Sequence, residues 1–197
     1  MEEKTQKKLQ IIKNLPKTDF VLGVDPGIKG GYAVFDCNRK NFKCVGSIPL
    51  VLSQTVASGR KTYDVAVLRE QIAEIVNEQC HNCTFTFCIE RQQAMPKQGV
   101  VSMFTTGFGY GVWHGIFAGF EPPFPKTHNL VVVKASSWQQ ILVGEEALDT
   151  TKAKSIARIR RLFPDVNLCP EKKRVPSDGL ADACNIAHYA FLKMRDV

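Results

Sequence analysis

Two short apolar runs in the chain each end in a carboxylate. Residues 20–25, Phe-Val-Leu-Gly-Val-Asp, are apolar up to Asp25, and a Pro-Gly pair follows. Residues 84–90 repeat the pattern and end at Glu90. A continuous apolar run that is bounded by turn residues is typical of a buried strand. We therefore predict two buried strands, each with an acid at its C-terminal end.

Helical periodicity dominates much of the remaining sequence. Apolar residues at spacings of three and four predict an amphipathic helix over residues 63–79. A helical stripe over residues 2–15 stops at Pro16, so we predict an N-terminal helical extension (residues 1–19) ahead of one domain (residues 20–197). Further helices are predicted at 107–119, 136–143, 150–162 and 177–194, and further strands at 30–36, 42–49 and 131–133.

Glycines at every fourth position mark the helix predicted at 107–119. They are Gly107, Gly111, Gly115 and Gly119. This spacing puts them on one face, which lets another backbone approach closely. We predict a close-packing surface there, with a mobile loop as the alternative, and an irregular polar segment before it at 91–106.

The order of these elements indicates a mixed α/β domain, because three strands, a helix and a strand are followed mostly by helices. No apolar run approaches the ~18–20 residues that span a bilayer, so we expect no membrane partner. The polar N-terminus does not resemble a secretory signal. We therefore expect an intracellular protein.

The cysteine content fits a reducing compartment, because an odd number of seven cysteines without a signal peptide favours free thiols. A zinc site is the alternative for four of them: Cys37, Cys44, Cys80 and Cys83. The last two form a CxxC element, which is a weak signal by itself because structural zinc normally takes four ligands. Cys88 and Cys184 lie in apolar patterns and are predicted to be core residues.

The net charge of +7 indicates a polyanionic partner, although solubility alone is the simpler explanation. The basic residues are unevenly distributed and concentrate in the C-terminal third. They include Lys152, Lys154, Arg158, Arg160, Arg161, Lys172, Lys173 and Arg174. This clustering favours nucleic acid.

Two further acids lie on the predicted last helix. Asp178 and Asp182 are four residues apart, which stacks both carboxylates on one face. Small and apolar residues surround Asp182, and they indicate a buried position. The simpler alternatives are an acid that favours the helix N-terminus at Asp178 and a solvated surface acid at Asp182.

Taken together, Asp25, Glu90, Asp178 and Asp182 predict a metal site if the two strands are neighbours and the last helix crosses their ends. Carboxylate oxygens are the ligands that Mg²⁺ and Mn²⁺ prefer. Two ions ~3.5–4 Å apart can activate a water and stabilise the leaving oxygen of a phosphodiester. We expect two Mg²⁺ ions per site, with Mn²⁺ able to substitute.

The segments that carry these acids resemble motifs of the RuvC-type Holliday junction resolvases. Residues 21–27 with 31–33 resemble the first catalytic strand and its turn, and residues 87–90 the second. Residues 180–183, Leu-Ala-Asp-Ala, resemble the start of the last helix.

A narrower resemblance is to the chloroplast resolvases, the monokaryotic chloroplast family. It rests on residues 96–100, 107–113, 162–164 and 178–183. The last two acids are four apart in that group, as here, and a His usually stands where this chain has Asp178.

The resemblance implies an α/β domain with the RNase H-like fold, in which helices flank a mixed central sheet. It implies a crossover junction endonuclease that acts as a homodimer on four-way junction DNA, since two matched nicks need two active sites. Apart from the resemblance, basic residues near the predicted acids could hold backbone phosphates, with solvated surface charges as the alternative, and Lys152 also matches a basic position of the family. The candidates are Lys29, Lys97, Gln98, Lys152, Lys154 and Arg158.

Four aromatic side chains have two possible roles. Phe104, Phe108, Tyr110 and Trp113 either pack in the core or in a dimer interface, or stack on unpaired bases near the branch point.

Three other functions remain open at this point. One is a nuclease of the same fold that acts on other branched DNA or on RNA–DNA hybrids. The second is a non-catalytic junction-binding protein. The third is an actin-like ATPase or sugar kinase, whose first phosphate loop also has a strand ending in Asp and Gly, although 197 residues leave little room for its second lobe.

Overall fold

The computed structural model describes most of the chain. The described residues are 17–52, 59, 61–79, 83–94, 96–119, 128–144, 147–170 and 174–195. The N-terminal helix predicted at 2–15 lies outside them, as do Cys80, Lys172 and Lys173. The domain boundary predicted at residue 20 therefore stays a prediction.

A five-stranded mixed sheet is the centre of the described structure, with a separate two-stranded pair beside it. The strands are β1 (Phe20–Asp25), β2 (Gly31–Asp36), β3 (Asn41–Ser47), β4 (Leu50–Leu52), β5 (Lys61–Tyr63), β6 (Phe85–Glu90) and β7 (His128–Val133). The order in the main sheet is β3-β2-β1-β6-β7. Strand β1 runs antiparallel to β2 and parallel to β6, and β6 runs parallel to β7.

Helices cover both faces of the sheet. They are α1 (Val65–Gln79), α2 (Val100–Ala118), α3 (Ala135–Trp138), which continues as a 3-10 turn (Gln139–Ile141), α4 (Thr151–Leu162) and α5 (Asp178–Arg195). Side chains from α1 and α2 pack on one face, and side chains from α3 and α5 pack on the other. The predicted mixed α/β fold is confirmed. None of the described helices has the length and apolarity needed to cross a membrane.

The helix boundaries confirm most predictions and correct one. Helix α4 begins as predicted near residue 150, where the Thr150 side chain accepts a hydrogen bond from the Ala153 backbone amide at 3.2 Å. The prediction of an irregular segment up to residue 106 is wrong, since α2 already begins at Val100. Among the described residues no side chain caps that start, where Gly99 is the N-cap residue.

Helix α5 packs directly on β1 because β1 has a glycine at the contact. A β carbon at Gly23 would collide with the backbone of α5 at Ala183 and Ala187. A β carbon at Gly179 would likewise collide with the Lys29 carbonyl in the turn after β1. These two glycines bring the first turns of α5 next to the C-terminal end of β1.

The glycine stripe on α2 does not have the predicted role within the described chain. At Gly107, Gly111 and Gly115 a β carbon would meet no other described atom within 4 Å. The close contact lies instead at Gly109, where a β carbon would collide with the Tyr63 ring. The helix itself is confirmed, but the predicted packing of its glycine face is wrong for this chain alone.

This difference predicts opposite effects for two substitutions on one helix. We expect Gly109→Ala to lower the free energy of unfolding by about 1–3 kcal/mol, because the buried Tyr63 ring must move. We expect Gly111→Ala to leave it unchanged or raise it by ~0.5–1 kcal/mol, because alanine favours a helix where space is open. Urea denaturation measures both, and equal effects would contradict the contact between Tyr63 and Gly109.

Candidate active site

The ends of two neighbouring strands bring the first two acids together. Parallel pairing of β1 with β6 places Val24 opposite Ile89. Asp25 and Glu90 are the next residues along each strand. The prediction that each acid ends a strand is confirmed, and the condition that the two strands are neighbours is met.

The Asp25 carboxylate lies in the turn after β1, where its Oδ1 accepts a hydrogen bond from the Gly27 amide at 3.0 Å. Burial, together with the charges of Glu90, Asp182 and Asp178, raises the pKa of Asp25 to about 7, although the hydrogen bond from the Gly27 amide opposes this shift. The other three predicted acids are therefore within electrostatic range of Asp25 at this end of the sheet.

The turn after Asp25 is held by a tyrosine that the sequence did not single out. The Tyr63 hydroxyl donates a hydrogen bond to the Pro26 carbonyl. Tyr63 is only 3% exposed, and burial together with the Asp25 charge raises its pKa. Tyr63 thus fixes the backbone next to Asp25 and packs on Gly109 at the same time.

Glu90 is oriented by two donors. The indole Nε1 of Trp138 donates to Oε2 at 2.7 Å, and the side-chain amide nitrogen of Gln92 donates to Oε1 at 3.3 Å. Burial raises the pKa of Glu90, whereas these two hydrogen bonds lower it. The role of Trp138 also went unpredicted, because no spacing in the sequence relates it to Glu90.

Asp182 projects from the second turn of α5. Burial raises its pKa to about 6, and a hydrogen bond with the Ser155 side chain on α4 opposes that shift. Its Oδ1 is buried and has no hydrogen-bond partner within the part of the chain that the structure describes. A buried carboxylate oxygen without a partner is costly, so it is a candidate ligand position.

Asp178 differs from the other three acids because it has a cationic partner. Its carboxylate forms an ion pair with Lys152 on α4. The hydrogen bond from Lys152 lowers the pKa of Asp178, and the same bond raises the pKa of Lys152. The negative charge of Asp178 is thus balanced by Lys152 in this structure.

The acids fit a hard divalent cation in their chemistry but are not arranged as a finished metal site. They supply oxygen ligands, they repel one another, and one buried oxygen of Asp182 has no hydrogen-bond partner among the residues that the structure describes. Among the described residues, however, no three Asp, Glu, His or Cys side chains are grouped closely enough to hold an ion. The structure therefore shows a cluster of acids and no ligand geometry.

Three of the predicted DNA contacts have exposed side chains. Lys29, Lys97 and Lys152 are exposed, and Lys154 is half-buried. Lys97 has a left-handed backbone with a φ of 66°. Gln98 instead contacts its own helix, because its amide donates hydrogen bonds to Ser102 at 3.0 Å and Thr106 at 3.5 Å.

Arg158 is not placed to bind DNA, which corrects the prediction that it holds a phosphate. The residue is only 5% exposed. Its guanidinium donates to Asn185 Oδ1 at 2.7 Å and lies 3.1 Å from His188 Nδ1. Burial and the Arg158 charge lower the pKa of His188 to about 4, so this imidazole is neutral at pH 7.

The cysteine predictions have mixed outcomes. Cys88 and Cys184 are buried core residues, as predicted. Cys80 of the alternative zinc set lies outside the described residues, so that set stays a prediction. The reducing intracellular compartment also stays a prediction.

Comparison with known proteins identifies the fold. The structure of T. thermophilus RuvC in complex with a Holliday junction substrate matches with a TM-score of 0.53 at 17% identity, over 87% of this chain and 92% of that chain. The chain has the RNase H-like fold of RuvC. At this identity the match shows the fold and not the activity.

Two further solved structures match this chain with lower TM-scores. Thermus thermophilus RuvC matches with a TM-score of 0.48 at 17% identity, over 90% of this chain and 96% of that chain. The yeast mitochondrial Holliday junction resolvase Ydc2 matches with a TM-score of 0.47 at 15% identity, over 97% of this chain and 87% of that chain. Both scores are too low to carry an argument. No family model and no curated protein matches the sequence, so the narrower resemblance to the chloroplast resolvases stays a prediction.

Proposed function

We propose that this protein is a divalent-metal-dependent endonuclease that resolves four-way DNA junctions by paired, symmetric nicks. One observation carries the proposal. Asp25, Glu90, Asp178 and Asp182 come from distant parts of the sequence and interact electrostatically at one end of the sheet. They do so in the fold of RuvC, which has been seen in complex with a Holliday junction substrate.

The four acids have two different parts in the proposed reaction. Asp25, Glu90 and Asp182 would hold Mg²⁺, two ions in all, with Mn²⁺ as a substitute. The bound ions supply an activated water and stabilise the leaving oxygen, so no Ser or Cys nucleophile is required. Asp178 is either a fourth ligand or the group that positions the water.

The neighbours of the acids keep them in place. Trp138 orients Glu90, and Tyr63 fixes the turn that begins at Asp25. A site of this kind depends on such support, because small displacements of reacting groups cost a large part of the rate.

Lysines around the acids supply the proposed contacts to DNA. Lys29 follows Asp25 closely in sequence, and Lys152 pairs with Asp178. We propose that these two, with Lys97 and Lys154, bind backbone phosphates. Lys152 would exchange its carboxylate partner for a phosphate when the junction binds.

The exposed side of α2 supports a homodimer. Val100, Val101 and Phe104 are 78%, 55% and 75% exposed, which is unusual for three large apolar side chains on one helix. The open glycine positions of α2 would allow a second helix to approach closely. Two copies would present two sites to the two strands of a nearly two-fold symmetric junction.

Two of the four aromatic residues differ in their exposure. Trp113 is fully buried in the core, whereas Phe104 is exposed. The Phe104 side chain is therefore the best placed of the four to contact a partner copy or an unpaired base.

A substrate panel tests the proposed function. The protein is incubated with a synthetic four-way junction, a flap, a linear duplex and an RNA–DNA hybrid, with Mg²⁺ or with EDTA. We expect paired nicks at symmetric positions in the junction alone, and none in EDTA. Equal cutting of all four substrates contradicts junction selectivity, cutting of the hybrid alone indicates a different nuclease, and binding without cutting indicates a non-catalytic protein.

A further inference from the structure

Two donors of different kinds hold the two oxygens of Glu90. The Trp138 indole reaches Oε2 at 2.7 Å, whereas the Gln92 side-chain amide reaches Oε1 at 3.3 Å. Trp138 is only 1% exposed, but Gln92 is half-buried on the segment after β6. A hydrogen bond is stronger at the shorter distance and where water does not compete for it. The bond to Oε2 is therefore the harder of the two to break.

The backbone fixes where the Trp138 donor lies. Glu90 pairs with Val133 in the register of β6 and β7, and the Arg91 amide donates to the Val133 carbonyl at 2.6 Å. One residue separates Val133 from α3, and Trp138 is the last residue of that helix. Its side chain belongs to the buried cluster that also contains Cys88 and Val133. The indole is thus held by the sheet and the core, so its N–H stays in place if the Glu90 carboxylate turns.

The difference between the two oxygens of Glu90 affects which ion the acids prefer. An indole N–H can only donate, so Oε2 already shares a lone pair with its proton and is the weaker metal ligand of the two. Mg²⁺ is small, requires near-octahedral geometry and keeps several waters, whereas Ca²⁺ takes more oxygens and binds carboxylates through one oxygen or both. A glutamate that offers one oxygen therefore suits Mg²⁺ and withholds a contact that Ca²⁺ can use.

We infer that Trp138 is a specificity-determining residue of the metal site: it occupies Oε2, leaves Oε1 as the ligand oxygen of Glu90, and so favours Mg²⁺ over Ca²⁺. Gln92 has the opposite effect, because its longer hydrogen bond to Oε1 has to break when an ion binds. The preference between the ions rests on the proposed function, since it requires that the acids bind metal. The orientation of Glu90 by Trp138 does not.

The substitution Trp138→Phe removes the donor and keeps an aromatic ring in the core. We expect the affinity for Mg²⁺ alone, measured by titration calorimetry, to fall ~10–100-fold, a usual effect of losing a residue that orients a ligand. The affinity for Ca²⁺ alone should fall much less, because Glu90 can then bind this ion through both oxygens. A loss of packing alone would lower both affinities alike, so the ratio of the two reports the role of Trp138.

Trp113, the only other tryptophan of the chain, supplies a matched control. It is also fully buried, but its indole Nε1 has no hydrogen-bond partner among the described residues. Trp113→Phe removes the same atoms from the core and should leave the ratio of the two affinities unchanged. Its melting temperature, measured beside that of Trp138→Phe, gives the effect of the lost volume alone.

A second variant tests the inference without a change in the core. Gln92→Ala removes the donor to Oε1 and leaves Trp138 in place. The affinity for Mg²⁺ should stay equal or rise, because no hydrogen bond then has to break at the ligand oxygen. The two donors to one carboxylate are thus expected to differ in the sign of their effect, and this variant decides the question if Trp138→Phe does not fold.

Equal losses of Mg²⁺ and Ca²⁺ affinity in Trp138→Phe overturn the inference, as does a loss of Mg²⁺ affinity in Gln92→Ala as large as that in Trp138→Phe. The crystal structure of metal-free Trp138→Phe reads out the orientation by itself: we expect a turned Glu90 carboxylate, and an unchanged one contradicts its orientation by Trp138. A wild type that binds neither ion overturns the preference together with the proposed metal site. A wild type that prefers Mg²⁺ in the expected way but cuts no junction supports the inference and contradicts the proposed nuclease instead.

Discussion

Asp25→Asn is expected to reduce junction nicking by on the order of 10³–10⁴-fold, a loss typical of removing one member of a catalytic set. The cause is the loss of a charged ligand at the centre of the acid cluster, where Asp25 interacts with all three other acids. Binding of the junction should remain within about two-fold, because the proposed phosphate contacts are lysines. Gel-shift and nicking assays on the same preparation measure both.

The same substitution should stabilise the metal-free protein at high pH. The folded-state pKa of Asp25, about 7, lies above the ordinary aspartate pKa of 3.8 that applies in the unfolded chain. The folded state therefore binds this proton more tightly, and the contribution to stability is present at low pH and lost as the pH rises through about 7. At pH 8 in EDTA, Asp25→Asn should raise the free energy of unfolding by roughly 1–3 kcal/mol, and at pH 4 it should have little effect.

Asp19→Asn is the matched control with the opposite sign. Hydrogen bonds from the Thr84 amide at 2.8 Å and the Thr84 hydroxyl at 2.9 Å reach the Asp19 carboxylate. The backbone hydrogen bond is the main reason that its pKa is lowered. Asp19→Asn should therefore destabilise the protein at pH 8. If Asp25→Asn also lowers the free energy of unfolding at pH 8 in EDTA, the raised pKa of Asp25, and with it the proposed repulsion between the acids, is wrong.

Gly23→Ala is expected to have the largest effect on folding. The added β carbon would collide with backbone atoms of α5 at Ala183 and Ala187, which cannot rotate away as a side chain can. We expect a loss of about 3 kcal/mol or more in the free energy of unfolding. Any folded fraction should nick poorly, because α5 must move away from β1 and take Asp182 with it.

Denaturation of Gly23→Ala beside Gly115→Ala measures this effect. Gly115 lies on α2, where a β carbon meets open space among the described atoms, so its alanine variant should be at least as stable as the wild type. A Gly23→Ala protein with wild-type stability would contradict the direct packing of α5 on β1.

Strands β1 and β6 could be predicted because their apolar runs are unbroken up to the acids. The structure adds to this prediction only that the two strands are neighbours, in a register that sets Asp25 beside Glu90. The last helix could also be predicted, since Asp178 and Asp182 lie at helical spacing and Ser177, a residue type that favours the start of a helix, precedes them.

The supporting contacts could not be predicted, because they depend on tertiary packing. Trp138 reaches Glu90 across 48 residues of sequence, and Tyr63 reaches Pro26 across 37. The sequence predicts a DNA contact at Arg158 because this residue shares a helix near the acids with Lys152 and Lys154, and a basic residue is normally exposed. Its burial follows from Asn185, a polar residue inside an apolar stretch of α5, which supplies an acceptor for the guanidinium.

A crystal structure with Mn²⁺, located by its anomalous scattering, tests the central claim most directly. The account predicts Mn²⁺ in contact with the carboxylates of Asp25, Glu90 and Asp182, at roughly 2.0–2.2 Å from their oxygens, after small movements of the side chains. Absence of Mn²⁺ from this end of the sheet at millimolar concentration, or its binding only elsewhere on the protein, would contradict it.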